Sequence, residues 1–126
     1  MDSQGKPKVF QLISSFSFAA EGIMTALRTE RNMRFHFVSS IIVLIASFYF
    51  SISAMEWIFI LFAIGGMFAL ELVNTAIERV VDLVTSDYQP LAKEAKDMAA
   101  GAVMVYAAIS AIIGTVIFLP YILKQF

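Results

Sequence analysis

Glu71-Leu72-Val73-Asn74-Thr75-Ala76-Ile77-Glu78 places two carboxylates and a carboxamide late in an apolar run that begins at Trp57. At about 100° per residue, Glu71, Asn74, Thr75, Glu78 and then Asp82 fall within one narrow stripe of a helix. A carboxylate carried into a bilayer costs roughly 2.5 to 3.5 kcal/mol on insertion scales, so an acid in such a run points to function and needs a polar partner. The surrounding chain decides whether that cost applies.

It does apply. The chain has 126 residues, of which 60% are hydrophobic and 15% charged, with a mean hydropathy of +0.80. That is far more apolar than a soluble domain and reads as an all-α integral membrane protein, one domain over residues 1–126. The net charge of −1 with a single histidine, His36, gives no basic surface for nucleic acid. There is no cysteine, which excludes disulfides, thiolate metal sites and a cysteine nucleophile. The first 36 residues do not read as a signal peptide, because Gln11, Ser14, Ser15, Ser17, Glu21 and Arg28 interrupt their apolar positions.

Working outward, Phe37 to Met55 is an uncharged run of 19 residues, about 28 Å as a helix and close to one hydrocarbon core. With its flank it predicts a first span over 34–55. A Ser/Ala turn around Ser51 to Glu56 leads to a second span over 57–81. Residues 98–123 carry no charge and predict a third span within 91–120, with a cytoplasmic extension starting after Pro90. Before the first span, Phe10, Ile13, Phe16, Ala20, Ile23 and Leu27 recur every three or four residues, which predicts an amphipathic surface helix over 9–30, either an anchor or a lid.

Lys6, Lys8, Arg28, Arg31 and Arg34 precede the first span and Arg79, Lys93 and Lys96 lie between the second and third, leaving Lys124 alone on the other side. The positive-inside rule then places the N-terminus and the loop between the second and third spans in the cytoplasm of a multi-pass cell-membrane protein. Small residues Ala107, Ala111 and Gly114, and Gly65-Gly66, suit close helix packing and need no chemical role.

The chemistry gathers at one interface. Glu30, Arg31, Arg34 and His36 share the predicted cytoplasmic side with Glu78, Asp82, Lys96 and Asp97. Carboxylates there suit Mg²⁺, which prefers oxygen ligands and keeps waters and substrate phosphates; Lys96 and the arginines suit phosphate oxygens. The same residues have plainer readings: Arg28, Arg31 and Arg34 as topology determinants, Asn74 and Thr75 as interhelical hydrogen bonds, and Lys93, Glu94, Lys96 and Asp97 as a solvated turn. There is neither a G-x-x-x-x-G-K-[ST] loop nor a kinase G-x-G-x-x-G. From the residues alone, a phosphoryl-transfer enzyme and an ion-coupled transporter using Glu71 and Glu78 as a relay both stay open.

Three segments together carry a resemblance: Thr29-Glu30-Arg31-Asn32-Met33-Arg34, Glu71 to Glu78, and Ala95-Lys96-Asp97-Met98-Ala99-Ala100-Gly101-Ala102-Val103. They resemble the small prokaryotic diacylglycerol kinase family over about residues 10–122. The resemblance implies a homotrimer of three-span subunits with an N-terminal surface helix, transferring the γ-phosphoryl of MgATP to a membrane lipid alcohol at cytoplasmic sites shared between subunits. It implies Glu30 and Glu78 as Mg²⁺ ligands, Glu71 as base for the lipid hydroxyl, Asn74 as the group that orients it, and Lys96 and Asp97 as nucleotide contacts. His36 stands where proteobacterial members have an acid, and Ala99 to Val103 departs from their G-S-A-A-V run, so a serine contact to nucleotide is lost. Both features are similar to the Gram-positive branch, whose lipid is undecaprenol, the alternative being diacylglycerol.

Overall fold

The computed structural model describes residues 5–126, so the first four residues of the domain assigned to 1–126 lie outside the described residues. Every regular element in it is helical: α1 (Lys8–Thr29), α2 (Arg31–Tyr49), α3 (Ala54–Val84) and α4 (Pro90–Gln125). All four are long and apolar enough to cross a membrane by length and composition. At 1.5 Å per residue, α3 and α4 run about 46 and 54 Å, longer than a hydrocarbon core of about 30 Å, so both must extend beyond it.

The boundaries have local causes. The second helix stops at Tyr49, short of the Met55 expected for it, because Ser51 takes a left-handed φ of 50° and Ser53 already caps the next helix. The Ser53 hydroxyl accepts from the Glu56 N–H at 3.2 Å and Glu56 Oε2 accepts from the Ser53 N–H at 2.9 Å. This reciprocal pair satisfies two amide donors and starts α3 at Ala54. An uncharged run is therefore not one helix. At the other end Thr85 closes α3, and Pro90, which lacks an amide hydrogen, opens α4 in its first turn. Helix α4 continues through Pro120 to Gln125, past the expected end of the third span.

Helices α3 and α4 form the most extensive pair, while α2 packs on α3 and α1 packs on both α2 and α3. The α3–α4 hairpin is tied at three heights. Tyr121 Oη donates to Glu56 Oε2 at 2.7 Å, Tyr106 Oη donates to the Phe62 carbonyl at 2.5 Å, and Lys96 Nζ donates to Asp82 Oδ1 at 2.6 Å. Gly66 is what lets Tyr106 lie so close, since a Cβ there would overlap the phenol ring.

The buried core is small. Ile52, Ile60 and Ile117 pack at the end remote from Glu78, with Phe50 stacked on Tyr121 at a centroid distance of 5.7 Å. Outward faces stay apolar, with Ile42, Phe62, Val105 and Val116 all exposed. Water would not tolerate so continuous an apolar surface, whereas lipid chains or further copies of the chain would. Helices α2 and α4 make no close backbone approach to one another, so a groove remains between them with α3 as its floor.

Candidate active site

The stripe of Glu71, Asn74, Thr75, Glu78 and Asp82 continues the buried face of α3. Ile60, Ala63 and Met67 lead into Glu71, which is 2% exposed, and then into buried Asn74 and Thr75. Glu78 is half-buried and Asp82 is exposed, so the stripe rises from interior to solvent within three turns. Glu71 is held by helix geometry rather than by a loop, which fixes its carboxylate against α2.

Facing it there is His36, with Nε2 at 3.9 Å from Glu71 Oε2. That separation is wider than a direct hydrogen bond. One turn along, Asn74 Nδ2 lies 3.5 Å from Glu78 Oε1, at the long limit of such a contact. Asn74 Oδ1 and the Thr75 hydroxyl are buried with no hydrogen-bond partner. Buried orphan acceptors cost stability, so Asn74 has an unused acceptor beside the two glutamates.

Glu30 sits at the α1–α2 corner as the N-cap of α2. Its Oε1 lies 3.4 Å from Arg79 Nη2, and the same nitrogen donates to Thr29 Oγ1 at 2.6 Å. Arg34 reaches back to the C-terminus of α1, donating to the Leu27 and Arg28 carbonyls at 3.2 and 2.8 Å. Two arginines thus hold the corner that presents Glu30. Neither role shows in helical periodicity, because long side chains reach across elements; only the rule that cations favour helix C-termini could have flagged Arg34.

Lys96 and Asp97 lie in the charged first turns of α4, before its uncharged run. Lys96 pairs with Asp82 and Asp97 pairs with Lys93 one turn earlier. The Asp82 carboxylate holds the Lys96 ammonium above the ordinary lysine range, and the nearby Glu78 charge adds to this. Both residues line a cavity of about 270 Å³ at the α3–α4 turn, with Ser86, Tyr88 and Gln89.

Within one chain the predicted site residues therefore form separate pairs: Glu71 with His36, Asn74 with Glu78, Glu30 with Arg79, Lys96 with Asp82. Glu30 is paired with Arg79 and Glu78 with Asn74, and among the described residues no group of three or more His, Asp or Glu is gathered to hold a metal.

Residues 17–118 match the model of the family described as prokaryotic diacylglycerol kinase. The chain belongs to that family. Membership makes it a lipid kinase and places it among membrane proteins. The kinase is 52% identical to the undecaprenol kinase of Bacillus subtilis (strain 168) over 121 residues, covering 95% of this chain and 98% of that one. It is 39% identical to a diacylglycerol kinase of Synechocystis sp. over 114 residues, covering 90% of this chain and 65% of that longer one. Identity to the diacylglycerol kinase of Escherichia coli (strain K12) is 28% over 102 residues, or 81% and 84% of the two chains.

Proposed function

We propose that this kinase transfers the γ-phosphoryl of ATP to undecaprenol, giving the phosphorylated lipid carrier used for cell-wall precursors. The observation that carries the choice of lipid is the 52% identity to an undecaprenol kinase across nearly the full length of both chains. The geometry supports the reaction type. A carboxylate 2% exposed on a rigid helix, with a second carboxylate two turns nearer solvent, suits a step in which a lipid alcohol meets a water-soluble phosphoryl donor.

Glu71 accepts the proton of the lipid hydroxyl as its oxygen attacks the γ-phosphorus. The bond to the β–γ bridging oxygen breaks, ADP leaves, and the proton on Glu71 returns to water. Asn74, on the same face one turn from Glu71, orients the hydroxyl by donating from its amide to the hydroxyl oxygen. Lys96 and Asp97 contact the nucleotide, and the charge that Asp82 maintains on Lys96 suits phosphate oxygens. Glu30 and Glu78 fit Mg²⁺: both are hard oxygen donors, the hydrogen bond that Glu78 accepts from Asn74 is long at 3.5 Å, and Mg²⁺ commonly takes one or two carboxylates together with substrate phosphates. When bound it would neutralise phosphate charge.

The kinase works as a homotrimer in the cell membrane, with α2, α3 and α4 crossing it and α1 on the surface. The N-terminus and the α3–α4 turn face the cytoplasm, where eight of the nine Lys and Arg lie. The apolar faces left exposed on a single chain support both the bilayer and the partner copies. Incubation of purified protein with [γ-³²P]ATP, Mg²⁺, undecaprenol and diacylglycerol in mixed micelles tests the reading. Undecaprenol is expected to take the label fastest; equal or faster labelling of diacylglycerol would make phosphatidic acid the product, and no labelled lipid would end the proposal. Cation flux in liposomes without ATP, abolished by Glu71→Gln, would favour a transporter instead.

A further inference from the structure

Arg79 is a cation that the phosphoryl-transfer scheme leaves unused, and it stands where α3 meets the corner of α1 and α2. Its Nη2 donates to Thr29 Oγ1 at 2.6 Å and lies 3.4 Å from Glu30 Oε1. The Thr29 hydroxyl in turn donates to the Thr25 carbonyl at 2.8 Å, so the group that grips the guanidinium is itself fixed to α1. The short bond is thus the one to the neutral hydroxyl, and the carboxylate contact is the loose one. Glu30 can change partners while Arg79 keeps its anchor.

Three features make that exchange feasible. The pair is open to solutes, its side chains being 48% and 31% exposed. Among the described residues both contacts of Arg79 fall on Nη2, which leaves the other donors of a five-donor fork for an anion. Beside it a cavity of about 280 Å³, walled by Gly22, Ala26, Leu72 and Ala76 between α1 and α3, gives the guanidinium room to turn.

Charge decides what the exchange does. A divalent cation bound to Glu30 Oε1 at about 2.1 Å would lie within about 5.5 Å of the present position of Nη2. Alone, it must displace the guanidinium from the carboxylate and then sit beside a like charge. Polyphosphate oxygens arriving with it reverse the balance, because they are counter-ions to both cations.

We propose that Arg79 is a built-in counter-ion for Glu30, which opposes binding of a divalent cation alone and passes to the nucleotide phosphates when metal and nucleotide arrive together. The inference deepens the kinase reading and rests on its assignment of Glu30 to the metal. Arg79 then acts as a positioning residue that makes metal binding conditional on nucleotide. By linkage, the factor by which nucleotide tightens the metal is the factor by which metal tightens nucleotide.

The test reads metal affinity without turnover, by electron paramagnetic resonance of free Mn²⁺ over the full-length protein in detergent. Arg79→Met, which keeps the stem and removes the charge, is expected to tighten Mn²⁺ binding without nucleotide about threefold or more. Arg79→Gln, which keeps an N–H donor for Thr29, is expected to do the same, and Arg79→Lys to stay within about twofold of the unaltered protein. A merely structural role gives the opposite sign, since a loosened corner presents Glu30 less well. In a Glu30→Gln background Arg79→Met is expected to leave Mn²⁺ affinity unchanged. In the lipid-labelling assay Arg79→Met is expected to raise the KM for ATP about tenfold.

Unchanged or weaker Mn²⁺ binding in both neutral variants, or tightening that persists without the Glu30 carboxylate, would overturn the counter-ion. Arg79→Lys matching Arg79→Met would overturn the charge argument, and an unaltered KM for ATP would overturn the transfer to phosphate. These outcomes are distinct from failure of the kinase reading, which is absence of labelled lipid with the unaltered protein.

Discussion

A glutamate at 2% exposure and another two turns away on the same helix face respond differently to loss of charge. Glu71→Gln keeps the volume and removes the proton acceptor, so kcat for lipid phosphorylation is expected to fall by about 10²- to 10⁴-fold. The thermal midpoint in detergent is expected to hold or rise, because a buried carboxylate with one weak partner has been replaced by a neutral amide. Glu78→Gln is expected to abolish nearly all phosphoryl transfer with the fold intact. Normal activity of that variant at ordinary Mg²⁺ would remove Glu78 from the metal role. The position of both acids was legible from spacing alone, since the helix period puts them on one stripe whatever their purpose. Their division of labour was not, because periodicity carries no information about what faces the stripe; His36 at 3.9 Å came only with the structure.

Between elements, the glycines separate into two kinds. A Cβ at Gly66 would overlap Tyr106, whereas Gly65 and Gly101 have open space around the same atom. Gly66→Ala is therefore expected to destabilise the α3–α4 hairpin by about 1 to 3 kcal/mol through overpacking, read as a lowered thermal midpoint. Gly65→Ala is expected to gain about 1 kcal/mol from helix propensity. Combining Gly66→Ala with Tyr106→Ala should cost less than the sum of the two single changes, the signature of a direct contact. The Gly65-Gly66 pair read as close packing from the sequence, and within the single chain it is Gly66 that packs closely. Helix identities were legible in the apolar runs and in Pro90. The break at Phe50 to Ser53 was less so, because hydrophobicity continues straight through it while the backbone turns at Ser51. The signal that resolves it is Ser53-x-x-Glu56, a capping box present in the sequence. At the corner of α1 and α2, Arg79→Ala is expected to speed amide exchange over Arg28–Arg31, since its guanidinium bridges Thr29 and Glu30 to α3.

For the molecule as a whole, one chain leaves its candidate residues in separate pairs and its outer faces apolar. Glu71 faces α2 and His36, whereas Lys96 joins Asp82 and the exposed end of the stripe. A site completed by a neighbouring copy would bring together what a single chain holds apart, and mixing inactive subunits distinguishes the two arrangements. In a cyclic trimer whose sites take Glu71 from one subunit and Lys96 from the next, any mixed trimer of Glu71→Gln and Lys96→Ala subunits contains one fully native site in three. Random equal mixing makes about three quarters of trimers mixed, so about one quarter of full activity is expected to return. Sites confined to single chains would leave the mixture as inactive as either parent. The measurement is the initial rate of lipid labelling after co-expression, set against each variant purified alone, and a rate no higher than the parents' would place the whole reaction within one subunit.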